Sequence, residues 1–195
     1  MCALALEALL RRRLEHRKEK HLYRRRLNFS SACGSVMSSD GSELINFSSN
    51  DYLGLANHPD ITKALKKGAE KYGTGSGASH LISGHSAAHQ ALEEQLAEFT
   101  GRPRTILYSN GYMANLGVLS ALLSRNDLIL SDELNHASLI DGSRLSRASC
   151  VRYNHADSND LCRKLSSSEF DHCVVTTDGV FSMDGDIAPL GEITR

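Results

Sequence analysis

From Ser86 onward the chain alternates between apolar residues at helical spacing and short strand-like apolar runs, and this alternation restricts the fold more than any other feature. Helices are expected at 86–100, on Leu92, Leu96 and Phe99 with Gly101 as the stop, and at 112–123, 137–145 and 159–165. Buried strands are expected between them, at 105–108, 127–130, 150–153 and 173–177. Strands joined through helices run parallel, so the expected class is α/β with a mainly parallel sheet. Pro189 opens one more helix, and the alternation is still running at Arg195. The expectation is therefore an incomplete domain, truncated at its C-terminal side.

The first 85 residues follow another pattern. Leu6, Leu10 and Leu14 recur at four-residue spacing, which predicts an amphipathic helix over 3–23 with Arg11 to Arg13, Arg17, Lys18 and Lys20 on its solvated side. Residues 30–42 read as a loop or small hairpin. His58-Pro59-Asp60 starts a second helix that runs through Ile61, Leu65 and Lys66 to a stop at Gly73.

Charge and cysteine content exclude several classes. A net charge of -1 supplies no field for nucleic acid or a membrane surface. The N-terminal basic run is interrupted by Glu7, Glu15 and Glu19 and has no aromatic platform for stacking bases. No apolar run approaches the roughly 20 residues of a membrane helix, and the opening MCALALEALL lacks a signal peptide's basic start, so a cytoplasmic protein is expected. Cys2, Cys33, Cys150, Cys162 and Cys173 form an odd set without a C-x-x-C pair, which predicts reduced thiols.

The segment GTGSG at 73–77 follows a helix, whereas a dinucleotide fingerprint follows a strand, and it lacks the Lys-Ser or Lys-Thr ending of a P-loop. His85, His89 and Glu93 share a helix face at four-residue spacing. No other ligand has diagnostic spacing, so no metal site is expected. More telling are three strand-to-helix junctions: Ser109-Asn110-Gly111-Tyr112, Asn135-His136-Ala137-Ser138 and the run from Asp178 to Gly185. Ligands of an open parallel sheet bind beyond the carboxyl ends of its strands, where free helix-start amides favour an anion. The junctions are expected to face one crevice holding a phosphate-bearing ligand.

NFSSNDYLGLANHP, GSGASHLISGHSAAHQALEEQLAEFTGR, YSNGYMANLG, SDELNHASLIDG and TTDGVFSMDGD resemble, in order, the α-oxoamine synthases, over about residues 15 to 195. The resemblance implies the fold-type I aminotransferase architecture, a homodimer and pyridoxal 5'-phosphate as cofactor. It implies an N-terminal helix and small-domain segment over 1–50 and an incomplete cofactor-binding large domain over 51–195. Gly111 and Tyr112 would hold the cofactor's phosphate with backbone amides, His136 would stack on its ring, Ser182 would hydrogen-bond its phenolic oxygen, and Asp178 would support the site. Arg24, Asn50 and His136 would contact substrate. Some members carry Glu at the position of Asp178.

GSGASHLISGHS with HLYRRR upstream is most similar to the members that join L-alanine to a pimeloyl thioester, carried on coenzyme A or a carrier protein. The runner-up is 2-amino-3-ketobutyrate CoA ligase, which shares NHASLIDG and TDGVFSMDG. The family's Schiff-base lysine, its aspartate paired with the pyridine nitrogen and its second histidine are implied to lie beyond this segment. All seven lysines, Lys18, Lys20, Lys63, Lys66, Lys67, Lys71 and Lys164, fall on predicted helices. A complete, non-catalytic paralogue serving as a binding or dimerisation partner is the rival reading.

Overall fold

The computed structural model describes residues 3–170 and 172–194, so Cys2 and Arg195 lie outside the described residues. Residues 1–84 and 85–195 form two compact units. In the first, α1 (Ala3–Glu19) is built from straight-chain helix formers and carries the Glu7–Arg11 and Glu15–Lys18 ion pairs. It stops short of residue 23 because His21 takes a left-handed backbone (φ 55°) and the Leu22 amide turns back to Arg17 O. Strands β1 (Val36–Ser39) and β2 (Ser42–Ile45) form an antiparallel hairpin. Its two-residue turn, Asp40-Gly41, has positive φ at both positions (50° and 77°), as a right-twisted hairpin requires. Helix α2 (Pro59–Tyr72) begins and ends as expected: His58 Nδ1 accepts from the Asp60 amide at 3.2 Å, and Gly73 is the C-cap. The turn His80–Gly84 is π-helical, a feature with no sequence signature.

The second unit contains α3 (Ala87–Thr100), α4 (Gly111–Leu122), β3 (Leu128–Asp132), α5 (Ala137–Ser146), β4 (Ser149–Tyr153), α6 (Ser158–Ser166), β5 (Cys173–Thr176) and α7 (Leu190–Ile193). The strands are parallel in the order β4-β3-β5, with Leu130 opposite Val151 on one side and Val175 on the other. Central β3 is buried on both faces. Ile129 packs with Leu119 and Leu123, whereas Leu128 and Leu130 pack with Tyr153 and Leu161. Ile129 and Leu130 are fully buried, and each stabilises the fold by about 2 kcal/mol relative to exposure.

One expected strand is absent. Residues 105–108 are not a strand, and Ile106 is 77% exposed. Extended backbone becomes sheet only where a neighbour takes its hydrogen bonds, and among the described residues β4 and β5 each pair only with β3. Cys33, Cys150, Cys162 and Cys173 are free thiols.

Candidate functional site

All three polar junctions sit at the carboxyl ends of strands or at helix starts within the second unit. At the first, Asn110 caps α4 by accepting the Met113 amide on Oδ1 at 2.9 Å. Gly111 and Tyr112 are the first residues of the helix, so their amides have no carbonyl within it to bond and remain available to an anion.

At the second, His136 caps α5. Its Nδ1 accepts the Ser138 amide at 3.2 Å and lies 2.7 Å from Ser138 Oγ, which also receives the Asn115 side-chain amide at 2.9 Å. Because the backbone N–H can only donate, Nδ1 is the acceptor and the neutral ring carries its proton on Nε2. The ring is fixed edge-on to Tyr112, with centroids 6.2 Å apart and planes at 78°. Tyr112 Oη donates to the Asp141 carboxylate, and that bond raises the phenol's pKa, so Tyr112 stays protonated and anchored to α5.

The third junction is tied to the second. Asp178 Oδ2 accepts the His136 amide at 2.7 Å, and the Asp178 amide donates to Asn135 Oδ1 at 3.1 Å. Buried Asn135 also donates to Thr176 O at 2.8 Å and Ser131 Oγ at 3.0 Å, bridging the ends of β3 and β5. Gly111, Tyr112, His136 and Asp178 are thereby brought to one surface. Ser182 is exposed on the loop that follows, closed by the Val180–Ile187 bridge. Arg24 and Asn50 belong to the first unit, Arg24 beside His16, Arg17 and Lys20 in a basic cleft and Asn50 exposed in the irregular segment between β2 and α2.

Asn115 and Asp141 act in this site although sequence reasoning passed over them, because each reaches its partner across the α4/α5 interface, 23 and 29 residues away. A second omission is the cluster beyond the carboxyl ends of β3 and β4, where His155 lies between Asp132 and Asp186. His89 accepts the Ser86 amide at the start of α3, and His85 lies 3.1 Å from Gln90 Oε1, while His85 and Glu93 stand close enough to His80 for the three to hold a metal ion. Among the lysines, Lys20 falls one residue beyond α1, and Lys164 is held by Asp160 and Arg152 O, each at 2.7 Å.

Orphan helix-start amides, a fixed imidazole and a carboxylate-tied backbone at the carboxyl edge of a parallel sheet define an α/β protein of the ligand-binding, crossover class. The family model for aminotransferase class I and II matches residues 42–195, and the chain belongs to that family. It is 56% identical over 178 residues to the 8-amino-7-oxononanoate synthase of Methylococcus capsulatus, an alignment covering 91% of this chain and 46% of that protein. Among solved structures it is similar to a serine palmitoyltransferase from S. paucimobilis with a bound PLP–myriocin aldimine (TM-score 0.88, 29% identity, 99% of this chain and 49% of that one). It is also similar to the 8-amino-7-oxononanoate synthase of Francisella tularensis (TM-score 0.64, 36% identity, 76% and 41%). The chain spans about half the length of the curated relatives it matches.

Proposed function

We propose that this chain serves the pyridoxal-phosphate-dependent, decarboxylative condensation of L-alanine with a pimeloyl thioester to 8-amino-7-oxononanoate, a step of biotin biosynthesis. The observation that carries the reading is the arrangement of His136: capped onto α5, edge-on to Tyr112 at the start of α4, and held through its backbone by Asp178. This donor set suits a flat ring bearing a phosphate. The amides of Gly111 and Tyr112 receive the anion, and the His136 ring supplies a face for the pyridine. Ser182 donates to the ring's phenolic oxygen, while Asp178 keeps His136 at a fixed height. Arg24, Asn50 and His136 contact substrate.

When bound, the cofactor supplies an aldehyde that captures the amino acid and a ring that takes up the electrons released at its α-carbon. Residues 1–50 belong to the N-terminal helix and small domain in this reading, and 51–195 to the cofactor-binding domain. The working form is a homodimer in the cytoplasm. No helix among the described residues is long and apolar enough to cross a membrane.

Steady-state kinetics of the full-length protein tests the substrate assignment. L-alanine with a pimeloyl thioester is expected to show kcat/KM at least about tenfold above glycine with acetyl-CoA, the discrimination a pocket achieves on one methyl or methylene group. The reverse order would assign the 2-amino-3-ketobutyrate CoA ligase reaction instead.

A further inference from the structure

His155 lies two residues beyond the end of β4, with its ring between two carboxylates. Nδ1 is 2.9 Å from Oδ1 of Asp132, the last residue of β3, and Nε2 is 2.6 Å from Oδ2 of Asp186, on the 179–188 loop. The Asp132 carboxylate is buried and already accepts the Leu134 amide at 2.9 Å and the Ala156 amide at 3.0 Å, so towards the ring it acts only as acceptor. A neutral imidazole has one N–H and could satisfy one carboxylate while turning a lone pair on the other. With both ring nitrogens within hydrogen-bond reach of carboxylates, the geometry suits an imidazolium. Asp186 depends on it: Asp186 Oδ1 is buried and, among the described residues, makes no hydrogen bond.

The same ring packs edge-on against Phe181, with centroids 4.4 Å apart and planes at 84°. Phe181 is buried, and the next residue is Ser182. The loop is otherwise closed by few bonds: Phe181 N to Asp186 O, Gly185 N to Phe181 O and Ala188 N to Gly179 O. His155 therefore joins β3, β4 and the loop that follows β5.

We propose that His155 is a cationic positioning residue that clasps the 179–188 loop to the ends of β3 and β4, fixing the height of Ser182 and making that part of the site loosen as pH rises. The charged groups facing His155 from neighbouring elements are all acidic. They are Asp132, Asp186 and Glu133, whose Oε1 accepts the His155 amide at 3.1 Å. Asp160 on α6 holds the adjacent Asn154 amide but is neutralised by Lys164 and Arg163. The bond to Asp132 first, and that to Asp186 second, raise the His155 pKa above its ordinary value. A raised pKa in the folded state means the clasp contributes fully below about pH 6.5, the unfolded value, and is lost as pH climbs through the folded one.

The effect on Ser182 rests on the proposed function, whereas the clasp does not, and two readouts separate them. In the full-length, cofactor-free protein, 15N spectra should show both His155 ring nitrogens protonated at pH 6.5. Amide exchange across 179–188, corrected for intrinsic rates, should lose about tenfold protection between pH 6 and 9, the scale of one charge-assisted hydrogen bond. His155→Gln should be unprotected to the same degree at both pH values, and Asp186→Asn should move the loss to lower pH. A single protonated ring nitrogen at pH 6.5, or His155→Gln exchange equal to wild type, would overturn the clasp. With cofactor added, its absorption should shift with the same pH midpoint. A clasp that titrates while bound-cofactor absorption stays constant would overturn the link to Ser182 and leave the cofactor reading itself to the exchange pattern at Gly111 and His136.

Discussion

Replacing His136 with alanine in the full-length protein is expected to weaken pyridoxal-phosphate binding about fivefold and to slow turnover on the order of 100-fold. The first figure reflects a lost ring stack of about 1 kcal/mol, and the second the loss of the fixed ring tilt that reacting geometry needs. The substitution also removes a helix cap, because His136 Nδ1 accepts the Ser138 amide. His136→Asn separates the two effects, since asparagine caps a helix well but offers no aromatic face. Cofactor titration and single-turnover rates of both variants decide it. If His136→Asn kept wild-type affinity and rate, the histidine would not lie over the ring.

Gly142→Val is expected to destabilise the protein by about 3 kcal/mol, near the upper end of overpacking costs. Buried Gly142 is where α5 meets α4, and a Cβ there would stand 2.9 Å from Asn115 O and 3.0 Å from Leu119 Cδ1. The Leu119 methyl can rotate away, but the Asn115 carbonyl belongs to helix backbone and cannot. Leaving glycine in a helix returns at most about 1 kcal/mol, so the clash wins. The helices can separate only by parting Tyr112 from Asp141 and Asn115 from Ser138, so cofactor affinity should fall together with stability. Urea unfolding reads the first and cofactor titration the second. A change below about 0.5 kcal/mol would mean that the α4/α5 contact is slack.

How much of this was legible in sequence depends on the range of the interaction. The caps at His58, Asn110 and Gly101 and the crossover alternation are local signals, and those elements stand within a few residues of where the pattern placed them. The end of α1 at Glu19 depends on His21 adopting a left-handed backbone, which nothing in HRKEKHLYRRR marks. The apolar run at 105–108 has strand composition, yet pairing is a property of its neighbours rather than of the run itself. The convergence of His136 and Asp178 followed from topology, because the ends of β3 and β5 share one edge, whereas Tyr112 follows no strand and reaches His136 through the packing of α4 on α5. The Asp132–His155–Asp186 cluster arises from that same rule but spans 54 residues, and a histidine after a strand carries no mark distinguishing it from a surface one.

Hydrogen exchange of the full-length protein with and without pyridoxal 5'-phosphate tests the location of the site most directly. Slowed exchange is expected in peptides covering 110–113, 135–138 and 177–183, with the effect at 110–113 lost when pyridoxal lacking the phosphate is used. Protection elsewhere, with those three segments unchanged, would contradict it.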